Sequence, residues 1–246
     1  MFRKWRQRFW QRRVDAAMPS RPAVLAITRR FPSLAGIQLD ALRQRAAEIL
    51  ACKAFIGAGD FQPSDDDRLV VALLAARPIL KLGISAYADF HTFILYPGAF
   101  IAETEYEDET GVISHGRDLR AGEAWAGGPV VLSLSDVRDS AQGDGFDVVV
   151  HELAHQIDQL SGDMDGCPPL HRGMDPDDWT RTFSEAFERL SRLLDAGQAP
   201  AIDPYAAESP AEYFAVSSEY VFDAPDRLRQ HEPEVFRLLQ TFYAGG

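Results

Sequence analysis

Gly145-Phe-Asp-Val148-Val-Val-His151-Glu152-Leu-Ala-His155-Gln-Ile157 is the stretch on which the reading of this chain turns. Glycines at 143 and 145 close a region rich in β-formers, and from Phe146 to about Leu160 the pattern is that of one helix. Residues four apart share a helix face, so His151 and His155 can present two imidazoles to one zinc ion. Glu152, one residue further on, can reach a water beside that ion without being a ligand itself. Zinc lowers the pKa of such a water toward about 7. Glu152 can then take its proton as the oxygen attacks an amide carbonyl, and later pass it to the leaving amine. A shuffled chain with these six His and 14 Glu residues holds H-E-x-x-H about once in 120. The five residues therefore decide little alone, and the flanks sharpen them. Three valines precede, Ile157 follows, the two intervening residues are apolar, and no proline interrupts.

Working outward, Gly128-Pro129 introduces a strand at Val130-Val-Leu-Ser-Leu134, and His91 to Tyr96 reads as a buried strand ending at Pro97-Gly98. Gly111 to Trp125 has room for one or two more. Upstream, residues 40–54 read as a helix, and Ser64 with Asp65, Asp66 and Asp67 opens another that runs to about Ala76, before Pro78. Downstream, Trp179, Phe183, Phe187, Leu190 and Leu194 stripe a helix from Pro176 to Leu194. Ser209 to about Phe222 and Pro233 to Phe242 make two more. Helices, a small mixed sheet, then helices is an α+β arrangement in a single domain, with a boundary near residue 85 left open.

A catalytic zinc needs a third protein ligand and an open fourth position. Asp158 and Ser161 stand where the extended H-x-x-G-x-x-H pattern would have its glycine and third histidine, so that extension is missing and the sequence argues against its subclass. Asp158, Asp163 and Asp165 are poorer candidates than the carboxylates of Ser209-Pro-Ala-Glu212-Tyr-Phe-Ala-Val-Ser-Ser-Glu219. Glu212 and Glu219 are seven apart and share one face. Ser209-x-x-Glu212 with Pro210 is also a capping box, a structural device worth about 1 kcal/mol. Spacing alone divides the third-ligand assignment almost evenly between the two glutamates.

The chain has 246 residues, 46% hydrophobic and 25% charged, and a formal charge of −12, an ordinary globular composition with no nucleic-acid-binding surface as its main feature. Two cysteines, Cys52 and Cys167, make neither a disulfide framework nor a thiolate zinc site, which points to a reducing, cytoplasmic compartment. No apolar run is long enough to span a membrane. Residues 1–30 hold nine basic groups against Asp15, net +8, leaving 16 basic and 36 acidic groups, net −20, in the rest. The opening MFRKWRQRFW interleaves Arg with aromatics, a pattern also open to reading as a basic amphipathic helix that touches anionic lipid or a partner. Residues 1–20 read as a basic segment, either frayed or helical and packed, ahead of a zinc metallopeptidase domain at 21–246. Glu103 to Glu109, five acids in seven residues, reads as a solvated loop. His91, His115, His171 and His231 lack ligand spacing and read as surface or packing residues, and Cys167 lacks a partner for nucleophilic work.

Over roughly residues 20–243 the chain resembles the Mlc titration factor A family of bacterial zinc peptidases, whose catalytic core is similar to that of anthrax lethal factor. The resemblance rests on Ile94-Leu-Tyr-Pro97, Gly128-Pro-Val-Val-Leu132, Gly145-Phe-Asp147, His151-Glu-Leu-Ala-His155, Ile202-Asp-Pro-Tyr-Ala206, and Pro210-Ala-Glu-Tyr-Phe-Ala-Val216 with Ser218-Glu-Tyr220. It implies a zincin-like domain with one Zn2+ per chain on His151, His155 and Glu212, and Glu152 as general base. It also implies that Tyr205 faces the metal, where a phenol can donate to an oxyanion. Lethal factor has a further acid where Val216 stands, a duty Asp147 or Glu219 can assume.

The leading reading is a zinc metallopeptidase, aminopeptidase-like by resemblance, acting on peptide substrates. Val130 to Leu134 is expected to hold an extended substrate by strand addition. The second reading, also implied by resemblance, is a binding protein that sequesters an Mlc-like transcriptional repressor. A weaker third is hydrolysis of a non-peptide amide or ester.

Overall fold

The computed structural model describes residues 2–107, 113–120, 122–124 and 127–245. The chain opens with helices α1 (Phe2–Ala16), α2 (Arg21–Thr28) and α3 (Leu39–Cys52), which lead into strand β1 (Ala54–Gly57). Helix α4 (Asp65–Ala76) and the short α5 (Ile79–Leu82) precede β2 (Thr92–Tyr96), β3 (Phe100–Glu107), β4 (Ile113–Arg120), β5 (Gly122–Ala124) and β6 (Val130–Ser133). Then come α6 (Leu134–Asp139), α7 (Val148–Asp158), α8 (Pro176–Asp195), α9 (Pro210–Asp223), α10 (Pro225–His231) and α11 (Pro233–Ala244).

The order of elements is the α+β order read from the sequence. Ser64 caps α4 as expected: its hydroxyl accepts from Asp67 N while the Asp67 carboxylate accepts from Ser64 N, so two N–H groups that a helix start leaves orphaned find partners. Several elements escaped the sequence reading: helices α2, α5 and α10, and also β1 and α6. Strand β1 is four residues that alternate between exposed and half-buried, and α6 follows β6 directly, capped by Ser133, the last residue of the strand. No boundary lies near residue 85, because one cluster of buried apolar side chains runs from Val24 to Tyr243.

The main sheet has the order β1-β2-β6-β5, with β1, β2 and β6 parallel and β5 antiparallel to β6. This mixed sheet is the expected one, but its interior is not. Strand β6 is hydrogen-bonded to β2 on one side and β5 on the other, and all four of its side chains are buried. Its backbone groups are committed, so it cannot accept a substrate strand, and the sheet's edges are β1 and β5. Strands β3 and β4 form a separate antiparallel hairpin. Glu103 to Glu107 therefore lie on a strand rather than in a loop, while Asp108 and Glu109 fall outside the described residues.

Behind the sheet, α7 packs beneath β5 and β6 and against α9. On the far side of α9, Trp179 of α8 is fully buried and stacks on Phe183 at 4.4 Å, edge-on to Phe242. Its indole N–H donates to Gly166 O at 2.9 Å, so the polar tip of a large buried ring is satisfied. This aromatic block fixes α8 and α11 behind α9, and thereby fixes the helix that faces α7.

Helix α1 stands apart. Val14 packs with Ala47 and Ala51 of α3, with Trp10, Ala17 and Met18 around them, and the Arg13 guanidinium donates to Ala51 O. The basic opening thus forms a helix that meets α3 along one face.

Candidate metal centre

Helix α7 begins at Asp147, whose carboxylate accepts from Val150 N at 3.0 Å. The loop before it needs Gly145: φ is +102°, and a Cβ there would lie 2.5 Å from the Tyr220 ring. From this start the four-residue spacing acts as expected. The His151 and His155 rings meet at 4.8 Å, nearly perpendicular, with their Nε2 atoms 3.2 Å apart.

Glu212 sits in the first turn of α9. Ser209 Oγ accepts from Glu212 N at 3.2 Å, so the Ser209 half of the capping box is present. The Glu212 carboxylate instead faces the histidines, with Oε2 3.0 Å from His151 Nε2 and 3.3 Å from His155 Nε2. Glu219 is also close, but on the other side of the ring. His151 Nδ1 lies 2.8 Å from Glu219 Oε1, and Glu219 Oε2 accepts from Asp147 N at 2.5 Å. The two glutamates that spacing left equal are thereby separated: one stands among the imidazole Nε2 atoms, the other orients an imidazole from behind.

Among the described residues, His151, His155 and Glu212 are the one group of three able to share an ion, with ligand atoms within 4.8 Å of one another. Two nitrogens and an oxygen bound tetrahedrally to zinc stand about 3.3 Å apart. The observed separations of 3.2, 3.0 and 3.3 Å fit that requirement. Glu212 Oε2 is buried and makes no well-aligned hydrogen bond despite these neighbours, as suits an atom whose partner is a cation.

Without a cation, the charges balance locally. Burial disfavours the charged His151 imidazole, yet Glu212 and Glu219 outweigh it and hold its pKa well above the usual value. Burial opposes ionisation of Glu212 too, but the two histidines keep it well below the ordinary carboxylate range. Glu219 is pushed up to about 7 by burial, partly offset by His151.

The family described as glucose-regulated metallo-peptidase M90 matches residues 2–244. The chain belongs to this M90 family. It is 32% identical over 241 residues to the Mlc titration factor A of Cronobacter sakazakii, covering 95% of this chain and 89% of the relative. It is 33% identical over 245 residues to that of an Enterobacter species, covering 98% and 91%. With the Mlc titration factor A of Pectobacterium atrosepticum it shares 40% identity over 178 residues, 70% of this chain and 66% of the relative.

An M90 peptidase implies a metal, and the remaining site residues of this chain lie around the convergent trio. Glu152 is nearly buried and borders a cleft of about 690 Å³. A Cβ on Gly122 of β5 would strike its carboxylate, so the edge strand presses directly on this group. Tyr205 belongs to the short turn Pro204–Ala207, is 51% exposed, and has its ring 5.9 Å from that of His151. It lines the same cleft.

Other candidates fall away. Asp158 turns from the cleft to accept from Gly166 N at 2.8 Å, and neither it nor Asp163 or Asp165 joins the trio. His171 packs on Phe242 with Nε2 2.6 Å from that residue's carbonyl, and His91 and His231 are exposed. The His115 side chain lies outside the described ones. Burial pushes the Cys167 thiol up, away from nucleophilic use.

Two residues behind the His151, His155 and Glu212 cluster were missed in the sequence. Asp223, four beyond Glu219, accepts from Gly143 N at 2.9 Å, from Gly145 N at 2.6 Å and from the Ser33 hydroxyl. Arg77, fully buried, donates to the Asp147 carboxylate. The first had a signal, since 212, 219 and 223 make one stripe on α9. Arg77 had a weaker one, a lone charge ending the apolar run Leu69 to Ala76.

Proposed function

We propose that this chain is a zinc-dependent peptidase, with His151, His155 and Glu212 as the ligands of one Zn2+. The observation that carries the reading is the convergence of two imidazole nitrogens and one carboxylate oxygen at the spacing of a tetrahedral face. Zinc, when bound, lowers the pKa of a coordinated water and polarises a carbonyl. Glu152 then takes the proton from the attacking water and returns it to the leaving amine. Glu219 keeps Nδ1 of His151 occupied, so that Nε2 points into the cleft. Tyr205 reaches over the cleft mouth, where its hydroxyl can donate to the developing oxyanion, a contribution of about 3 kcal/mol when preorganised. An extended peptide running along the free edge of β5 would bring its carbonyl beside Glu152. Short peptides cleaved from their amino end are the substrate class favoured by the resemblance to the Mlc titration factor A family. Residues 21–246 form the catalytic domain in this reading, and 1–20 an appendage bound through α3.

The test pairs metal analysis with peptide cleavage. Glu152→Gln should keep one zinc per chain and lose at least about a thousandfold in kcat/KM. His155→Ala should lose both. Cleavage by Glu152→Gln at the original rate would remove the general-base assignment, and zinc retained by Glu212→Ala would remove the ligand set.

A second activity is favoured by the relatives' name, Mlc titration factor A. We infer that this chain also binds a transcriptional repressor of the Mlc type, which places it in the cytoplasm without direct nucleic-acid contact. Repressor capture by Glu152→Gln would show binding independent of cleavage.

A further inference from the structure

The surface that the metal centre leaves unexplained is helix α1. Its attached face carries Trp10, Val14 and Ala17 toward α3. About 140–180° around the helix from Val14, Trp5 and Phe9 point outward, 66% and 55% exposed, stacked on each other at 5.9 Å. Arginines rim this aromatic stripe, with exposed Arg8 and Arg12 on one side and exposed Arg6 on the other, while Arg13 beside Arg6 is held by Ala51 O. The arrangement is an apolar strip between two basic borders on a helix already folded and fastened.

Among the described residues, most arginines beyond α1 are ion-paired, though Arg29, Arg172 and Arg227 are not. Arg21, Arg30, Arg43 and Arg45 each lie within 3.3 Å of a carboxylate. Arg6, Arg8 and Arg12 have no carboxylate within ion-pair distance among the described residues. Residues 1–30 carry +8 while the remainder carries −20, so a negatively charged surface attracts this end and repels the others.

We propose that α1 docks the protein onto an anionic phospholipid surface, with Trp5 and Phe9 seated at headgroup depth and the flanking arginines on phosphates. Aromatic side chains on a basic amphipathic helix favour this boundary, and each basic group near such a surface raises partitioning about fivefold. Because α3 already holds α1 in helical form, docking leaves no helix to be ordered. A specific protein partner fits less well. A stable interface covers about 800 Å² on each side, whereas this strip is convex and two turns long.

The test is co-sedimentation of the full chain with vesicles of phosphatidylcholine alone or with about 30% phosphatidylglycerol. Preferential sedimentation with the anionic vesicles, reversed by high salt, is the expected result. Trp5→Ser with Phe9→Ser should weaken it at least about tenfold, with the thermal unfolding midpoint and metal content unchanged. Arg8→Gln with Arg12→Gln should weaken it as well and reduce its salt dependence. Equal partitioning into both vesicle types would overturn the proposal, as would wild-type binding by the aromatic double variant. Binding to immobilised polyglutamate but to no vesicle would overturn it in favour of an acidic polypeptide.

Discussion

Helices α1 and α9 are almost equal in length, 15 and 14 residues, and they treat charge in opposite ways. Helix α9 turns Glu212, Glu219 and Asp223 inward, and each carboxylate has at least two polar neighbours: the two histidines; His151 and Asp147 N; Gly143 N, Gly145 N and Ser33. Helix α1 turns Arg6, Arg8 and Arg12 outward, with no carboxylate within ion-pair distance of them among the described residues. The difference follows from the surroundings. A charge away from water must be matched or it destabilises the fold by several kcal/mol, whereas an exposed one costs little and gains little. Matched buried charge therefore marks where the fold positions chemistry. Unmatched surface charge beside exposed aromatics marks where something outside is met.

The contrast breaks most severely at Arg77. Arg77→Ala leaves Asp147 buried without its cation, and should cost about 3–5 kcal/mol in urea unfolding. A loss under about 1 kcal/mol would mean the α9 side tolerates unmatched charge as readily as α1. Glu219→Ala sharpens the picture at the site itself. It frees His151 Nδ1 and should weaken zinc binding about 10–100-fold in a chelator competition, while Glu212→Ala should nearly abolish it. Equal losses in the two variants would contradict the separation of orienting and ligating roles.

The smallest effect is pH-dependent. Burial raises the Asp158 carboxyl to about 6, and its Oδ1 lacks a hydrogen-bond partner. Between about pH 4, where the unfolded carboxyl ionises, and about pH 6, the folded state binds the extra proton. This residue's contribution to stability is therefore greatest below about pH 4 and falls as pH rises through that window. Asp158→Asn should flatten the fall, leaving the variant roughly 1–2 kcal/mol more stable than the parent at pH 7. An unchanged pH profile would show that Asp158 ionises freely.

Much of this molecule was legible in its residues. The four-residue spacing of His151 and His155, the Ser64 cap, the stripe on α8 and the sequence of helices around a small mixed sheet all rest on local periodicity, which holds wherever the segment is placed. The apolar run Val130 to Ser133 was legible as a buried strand, but not which neighbours would take its hydrogen bonds. Once β2 and β5 occupy both its sides, the substrate role expected of it has no free backbone to use.

The proposed third ligand shows the same division at closer range. Seven residues apart on one helix, Glu212 and Glu219 face the same way, and no local rule chooses between them. The choice was made by how α9 crosses α7, which brings one carboxylate to the Nε2 side of His151 and the other to Nδ1. Arg77 is the extreme case, reaching Asp147 across 70 residues of chain. Periodicity along a helix is set by the backbone repeat, so the sequence alone carried it. The meeting of two helices is set by the aromatic block packed behind them, and only the folded chain brings that together.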